Sequence, residues 1–129
     1  QACRDIPPLG TTHADHYYGQ IPCTRKLNEA EVKEDYELNT GRIIVERLGD
    51  SDPMTVPSVL VSSHGPFCWG VSPEDAVYNA IALEEIARIA FHTVLLGNAD
   101  PVESYILDKH FLRKHGRNSY YGQERKPDK

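Results

Sequence analysis

An α/β fold is predicted for this sequence by three observations. A short apolar, β-branched strand covers residues 58–63, a long helix with start and stop signals runs from residue 72 to residue 97, and another helix begins at Asn28. The chain has 129 residues, of which 40% are hydrophobic, and this is enough to build one core. One globular domain is therefore expected.

The first part of the chain is predicted to be mostly irregular. Residues 1–10 are rich in proline, and the segment TTHADHYYG (residues 11–19) is interpreted as a short strand or loop whose polar side chains converge. Residues 21–24 are a candidate strand, which Pro22 would keep at a sheet edge or near a strand end.

Residues 28–49 are predicted to be helical. Asn28 is a typical N-cap, Glu31 follows three residues later as in a capping box, and Gly49 can end the helix. The run IIV at 43–45 would by itself pass for a strand. Helix is preferred because apolar residues recur at intervals of three or four along the segment.

The second half of the chain is predicted to contain a strand and two helices. Residues 51–57 form a turn before the strand at 58–63, and the clearest helix has Ser72 as N-cap, Pro73 in its first turn and Gly97 at its end. Another helix is expected from about residue 101 to residue 114, and the charged residues 123–129 are expected to be a disordered tail. Three- and four-residue spacing predicts the buried face of the clearest helix to be Val77, Ala80, Ile81, Glu84, Ala87, Ala90, Phe91 and Val94.

Composition argues against several classes of protein. The formal charge is −5, from 14 basic and 19 acidic residues, without the basic stripe that a nucleic-acid binder needs. No apolar run approaches the roughly 18 residues that span a bilayer, so membrane insertion is not expected. The three cysteines are scattered without CxxC spacing, which fits a reducing cytoplasm better than a disulfide framework.

His64 is the first candidate for a functional residue. It follows the strand at 58–63 directly and precedes the turn-forming pair Gly65 and Pro66, so its ring is expected at a strand end, where sites in α/β sheets are found. Histidine binds metals and transfers protons, but it also caps ordinary turns. One histidine cannot hold zinc, which takes three or four protein ligands, and His110 and His115 are five residues apart, on different faces of a helix.

Two other polar segments are candidates, and each has a plain structural alternative. Asp15 could be a general base held among hydroxyls and rings, or an ordinary turn residue. In LDKHFLRKHGRNSYYG (residues 107–122), Arg113 could bind an anion, and a tyrosine beside cations could act as an acid. The alternative is a basic helix end that complements its own dipole. Taken singly, both segments favour the structural interpretation.

Taken together and in this order, the segments resemble the class II aldolase and adducin family. The resemblance is carried by GTTHADHYYG and IPCTRK (residues 10–26), VLVSSHGPFCWG (59–70), EDAVYNAIALEEIA (74–87) and LDKHFLRKHGRNSYYGQ (107–123). The HGPF-WG motif is shared among sugar-phosphate aldolases, whereas THAD-YYG and LRKHG-YYGQ are more specific to the 4-epimerases of the family. The resemblance implies that residues 1–122 are the C-terminal portion of a class II aldolase-like domain with a three-layer α/β/α fold, present here as an incomplete mixed sheet with flanking helices.

The resemblance also implies roles for six residues. His64 matches a metal-binding histidine, Asp15 the acid/base carboxylate, and Tyr121 a tyrosine that reaches the site from a neighbouring subunit. Polar residues that line the same site are matched by Glu37, His110 and Arg113, and Arg113 is expected to meet a phosphate. The implied protein is a zinc-dependent, cytoplasmic homotetramer with active sites between subunits, which inverts C4 of a ketopentose phosphate by metal-assisted retro-aldol cleavage and re-addition.

The sequence departs from the family pattern in what it lacks. In the family, the other two zinc histidines form an HxH pair upstream of the matched region. The segments that hold the substrate phosphate also lie upstream. No HxH occurs in these 129 residues. We therefore expect the chain to hold zinc poorly and to be inactive alone. Two alternatives stay open: a sugar-phosphate aldolase of the fuculose- or rhamnulose-phosphate type, and a non-catalytic adducin-like module.

Overall fold

The computed structural model describes residues 2–97 and 99–122, so the predicted tail at 123–129 lies outside the described residues. Within these ranges, helices and a small sheet confirm the predicted α/β class. In chain order the elements are α1 (Thr11–Ala14), α2 (Glu29–Leu48), β1 (Ser58–Val61), β2 (Gly65–Cys68), α3 (Pro73–Leu96) and α4 (Ser104–His115).

The sheet is small and mixed. Strands β1 and β2 form an antiparallel hairpin in which Ser58 lies opposite Cys68. On the other edge of β1, Leu60 forms a parallel bridge with Cys23, and Ile21 pairs in turn with Ile6 in antiparallel orientation. The candidate strand at 21–24 is thus present only as isolated bridges.

Residues 11–14 form a helical turn that was not predicted, whereas residues 15–19 are irregular, as in the predicted loop. Ala14 N–H donates to the Gly10 carbonyl at 3.1 Å and Asp15 N–H donates to the Thr11 carbonyl at 2.9 Å. A helix of four residues is too short to leave a periodic pattern in the sequence. The turn is followed at once by Tyr17, which is fully buried and accepts a hydrogen bond from Ser58 at 2.9 Å.

Helix α2 begins and ends as predicted, but it is kinked. The capping box is present: Glu31 N–H donates to the Asn28 side chain at 3.0 Å, and Asn28 N–H donates to the Glu31 carboxylate at 2.8 Å. At Asp35 the backbone leaves the helical region, with φ −158° and ψ 90°, and the Asp35 carboxylate accepts from Leu38 N–H. Because an aspartate can cap a new helical segment in this way, the helix restarts at Asp35.

Helix α3 has the predicted ends but not the predicted buried face. Ser72 accepts a hydrogen bond from Asp75 N–H, Pro73 opens the helix and Gly97 ends it. The residues of α3 that are buried are Leu83, Ile86 and Ala90, of which only Ala90 was predicted. Several predicted core residues are largely exposed, namely Val77 (60%), Ile81 (65%), Phe91 (62%) and Val94 (44%). The prediction failed because apolar residues occupy more than one face of α3, so their spacing alone could not identify the packed one.

The hydrophobic core lies between α3, β1 and the segment after α1. Its buried members are Tyr17, Ile21, Val56, Leu83 and Ile86. None of the helices in the described ranges has the length and apolarity required to span a membrane.

Candidate active site around Asp15

Asp15 lies at the C-terminal end of α1 and faces one side of α4. One carboxylate oxygen, Oδ1, is 2.9 Å from His110 Nδ1 and 3.2 Å from an Arg113 terminal nitrogen, and the other, Oδ2, is 3.3 Å from Lys114 Nζ. Residues 110, 113 and 114 share a helix face because residues three and four apart are neighbours on a helix. One carboxylate therefore gathers three basic side chains.

The contacts of His110 bear on which of its ring nitrogens carries a proton. His110 Nδ1 is 2.9 Å from the Asp15 carboxylate and 3.0 Å from Arg113. A guanidinium can only donate and a carboxylate can only accept, so Nδ1 cannot serve both partners with one proton. The charge-assisted bond is the stronger one, and we assign the proton to Nδ1, which donates to Asp15. Arg113 then also donates to Asp15.

The cluster keeps Asp15 ionised. Burial raises the pKa of this carboxyl group, but hydrogen bonds from His110, Arg113 and Lys114 act in the opposite direction and leave the pKa below its usual value. The side chain is only 18% exposed. At neutral pH, Asp15 is therefore a carboxylate that can accept a proton but has none to give.

Acidification is expected to weaken the contact between α1 and α4. The folded-state pKa of Asp15 lies below the unfolded value, so its contribution to stability is present above the unfolded value and is lost as the pH falls through the folded one. The substitution Asp15→Asn should cost on the order of 2 kcal/mol of unfolding free energy at neutral pH, because it weakens hydrogen bonds between charged groups. Urea unfolding from neutral to strongly acidic pH would show this cost shrinking with acidity. The exposed Asp50→Asn variant controls for the loss of one charge, and an Asp15→Asn cost that does not change with pH would contradict the assignment.

Tyr121 joins the cluster through Arg113. The Arg113 guanidinium carbon lies 4.3 Å from the centre of the Tyr121 ring, and Tyr121 N–H donates to the Arg113 carbonyl at 3.1 Å. Such stacking of a cation on an aromatic ring is attractive. Tyr121 is 51% exposed, so its ring is also available to groups from outside this chain. Arg113 Nε is buried and has no hydrogen-bond partner among the described residues.

Two residues of the cluster were not predicted from the sequence. Lys114 pairs with the Asp15 carboxylate, and the His115 ring lies 2.9 Å, through Nε2, from the Asp15 backbone carbonyl. The position of Lys114 could have been predicted from the sequence, because residues 110, 113 and 114 share a helix face. His115 was expected on a different face from His110, yet both rings reach Asp15, since one contacts its side chain and the other its main chain.

His64 lies apart from this cluster, and its backbone setting differs from the expected one. The strand ends at Val61, residues 62–64 form the hairpin turn, and His64 N–H donates to the Val61 carbonyl at 3.0 Å. Gly65 and Pro66 belong to the returning strand β2 and do not form a turn after the ring. The His64 ring is exposed and stacks on Phe67 with 5.4 Å between ring centres.

Glu37 and the predicted metal ligand do not meet the Asp15 cluster in this chain. Glu37 is exposed on α2, and no hydrogen bond within the described ranges joins it to Asp15. Over residues 2–97 and 99–122 there is also no group of three histidine, cysteine, aspartate or glutamate side chains that could hold a metal ion. Donors from this part of the chain alone do not form a metal site.

Comparisons with known proteins bear on this cluster. Residues 1–91 match the family described as Class II Aldolase and Adducin N-terminal domain. The L-ribulose-5-phosphate 4-epimerase UlaF of Salmonella paratyphi B is 52% identical over 125 residues, which are 96% of this chain and 55% of the relative. Proteins of the same name from Salmonella paratyphi C and Salmonella typhi are 51% identical over the same shares. The chain thus spans about half the length of the curated relatives it matches.

Proposed function

This chain belongs to the class II aldolase and adducin family, and we propose that it forms part of an L-ribulose-5-phosphate 4-epimerase. The observation that carries the proposal is the cluster in which Asp15 binds His110 and Arg113 while Arg113 stacks on Tyr121. It places an ionised carboxylate beside a cation and leaves the Tyr121 ring half-exposed, so that this ring can serve a site of a neighbouring subunit. The 52% identity to a 4-epimerase over nearly the whole chain supports the same reaction.

The proposed reaction inverts C4 of a ketopentose phosphate by breaking and re-forming a carbon–carbon bond. The hydrogen on C4 is not acidic, so direct deprotonation is unfavourable. Removal of the proton of the C4 hydroxyl instead cleaves C3–C4 and leaves the enediolate of dihydroxyacetone and glycolaldehyde phosphate. The aldehyde rotates, presents its other face, and the bond re-forms with the opposite configuration. L-Ribulose 5-phosphate and D-xylulose 5-phosphate are interconverted in this way.

Two groups are proposed to transfer the protons. Each epimer presents its C4 hydroxyl on a different side, so one acid/base group is needed on each side. Asp15 is ionised and can accept a proton, and Tyr121 has a half-exposed ring beside the Arg113 cation. We assign the acid/base roles to this pair, with Tyr121 supplied from a neighbouring subunit of a homotetramer.

Three further residues are proposed to bind the sugar phosphate. Arg113 would contact the phosphate, since the planar guanidinium matches the geometry of phosphate oxygens. His110 would orient Asp15 and line the site. Glu37, exposed on α2, would line the site from elsewhere in the assembly.

Members of this family generally use a divalent metal, and zinc with His64 as one ligand is part of the proposal. Zinc sites take three or four protein ligands, and no group of three candidate ligands occurs among the described residues. In this proposal the other ligands come from the part of the enzyme that this chain does not match in its relatives. We also propose a cytoplasmic location, because the three cysteines are scattered in the sequence without the spacing of a disulfide framework.

The isolated 129-residue chain is expected to show no epimerase turnover. Its described residues contain no metal-binding group, and it matches only about half the length of its relatives. Purified chain would be incubated with L-ribulose 5-phosphate and excess zinc, and D-xylulose 5-phosphate would be measured. Turnover by this species alone would contradict the interpretation of the chain as part of a larger site.

The proposed activity can be tested in a chimeric enzyme, called the complemented enzyme below. In this chimera, the present chain replaces the matched 125 residues of the Salmonella paratyphi B relative. Formation of D-xylulose 5-phosphate without free glycolaldehyde phosphate would support the epimerase. Release of the aldehyde would instead indicate an aldolase. Absence of both products, together with absence of bound metal, would indicate an adducin-like module.

A further inference from the structure

His13 holds the loop that carries Asp15, both near the start of the loop and at its end. The loop comprises residues 15–19 and is called the Asp15 loop below. The His13 carbonyl accepts hydrogen bonds from two N–H groups near the start of the loop, at 3.0 Å and 2.9 Å. The ring nitrogen Nε2 of His13 lies 2.6 Å from the carbonyl oxygen of Gly19 at the end of the loop. The main chain and the side chain of one residue therefore hold two separate parts of the loop.

The His13 ring is buried and neutral, and its tautomer is defined. The residue is only 4% exposed, and burial lowers the pKa of the ring, so that it carries a single proton at neutral pH. A carbonyl oxygen only accepts hydrogen bonds, so this proton is on Nε2, which donates to Gly19. The other ring nitrogen, Nδ1, has no hydrogen-bond partner within the described ranges. The bond to Gly19 is thus the ring's single hydrogen bond there.

The Asp15 carboxylate itself is held by α4. Its oxygens lie 2.9 Å from His110, 3.2 Å from Arg113 and 3.3 Å from Lys114. Hydrogen bonds weaken steeply when their distance or angle is poor, so these contacts require one position of the carboxylate. The position of the carboxylate depends in turn on the path of the loop that His13 holds.

We propose that His13 is a positioning residue, which places the Asp15 carboxylate for proton transfer through its hydrogen bond to the Gly19 carbonyl. A misplacement of about 1 Å can cost on the order of 10²-fold in rate, so the path of the loop matters for catalysis. The catalytic consequence rests on the proposed function, whereas the placement of the carboxylate can be measured without turnover. Packing alone does not require a histidine, because an apolar ring could equally contact Tyr17, whose ring centre lies 5.5 Å away.

Two substitutions separate the hydrogen bond from the packing. In His13→Gln, the amide nitrogen lies as many bonds from Cβ as Nε2 does, so it can donate to the Gly19 carbonyl. In His13→Asn, the amide nitrogen corresponds to Nδ1, and the shorter side chain does not reach Gly19. Both variants are neutral and both lose the ring contact with Tyr17, so they differ in this one hydrogen bond. Urea unfolding of each variant measures the loss of stability that they share.

The pKa of Asp15 gives a measurement on the 129-residue chain that requires no turnover. It would be followed by NMR titration of the Asp15 carboxyl carbon. Neither substitution alters the titratable and charged groups around Asp15, which are His110, Arg113, Lys114 and His115 on α4 and His16 in the Asp15 loop.

The two variants should differ in this titration. In His13→Asn a displaced carboxylate loses hydrogen bonds from α4, so the pKa of Asp15 should rise towards its usual value. His13→Gln should keep the pKa of the parent chain. A pKa of Asp15 that is unchanged in both variants, or that rises equally in both, would overturn the proposal.

Turnover of the complemented enzyme tests the catalytic consequence. His13→Asn should lower kcat by about 10–10²-fold, and His13→Gln should restore most of this loss. The acidic limb of the kcat profile should move to higher pH only in His13→Asn, because Asp15 must be ionised to accept a proton. A smaller folded fraction would instead lower kcat at every pH without moving the limb. Equal kcat in the two variants would exclude the hydrogen bond from a catalytic role. A parent enzyme without turnover would contradict the proposed function, and the NMR titration would still decide whether His13 places Asp15.

Discussion

Asp15→Asn in the complemented enzyme is expected to lower kcat for epimerisation by about 10²–10⁴-fold, the range typical for loss of an acid/base group. Asparagine keeps the size of the side chain and can still accept hydrogen bonds from His110 and Arg113. It cannot take up a proton. The loss should therefore appear in kcat in both directions of the reaction, with a smaller change in KM.

The control for this variant is Asp50→Asn, which removes an exposed aspartate in the turn after α2. Near-normal kcat is expected there. Folding of Asp15→Asn has to be verified, since this substitution also weakens the contacts with α4. A correctly folded Asp15→Asn enzyme with turnover close to the parent would exclude Asp15 as an acid/base group.

Tyr121→Phe should reduce kcat by a similar factor of about 10²–10⁴. Phenylalanine preserves the ring that stacks on Arg113 at 4.3 Å and removes only the hydroxyl, so the cluster should keep its geometry. The matched control is Tyr120→Phe. The Tyr120 hydroxyl accepts a hydrogen bond from Lys109 at 2.7 Å and lies one residue away in sequence. Loss of activity in both variants would point to a structural role for the segment.

Mixed assemblies decide whether Tyr121 acts across a subunit boundary. Asp15→Asn and Tyr121→Phe subunits, each nearly inactive alone, would be dissociated, mixed and reassembled. If each site takes Asp15 from one subunit and Tyr121 from its neighbour, some sites in the hybrids contain both groups and activity returns. If one chain supplies both groups, mixed assemblies stay as inactive as their components.

The sequence alone determined the ends of α2 and α3. Asn28 with Glu31, Ser72 with Pro73, and the glycines that follow α2 and α3 all act where they were predicted to act. These signals are reliable because a capping residue forms hydrogen bonds with backbone groups only three or four residues away, so both partners are visible in a short stretch of sequence. The resemblance to the class II aldolase and adducin family likewise depended on short segments whose order along the chain is visible in the sequence.

Only the tertiary structure decided which surfaces and side chains meet. The resemblance assigned Asp15 and His110 to one site, but only the structure shows their contact across 95 residues of sequence. The packed face of α3 consists of Leu83, Ile86 and Ala90, of which only Ala90 was predicted. The strand ends at Val61 and His64 lies in the hairpin turn at residues 62–64, whereas the sequence predicted it directly after the end of the strand. Burial and ion pairing depend on what lies opposite a residue in space, and local spacing contains no information about that partner.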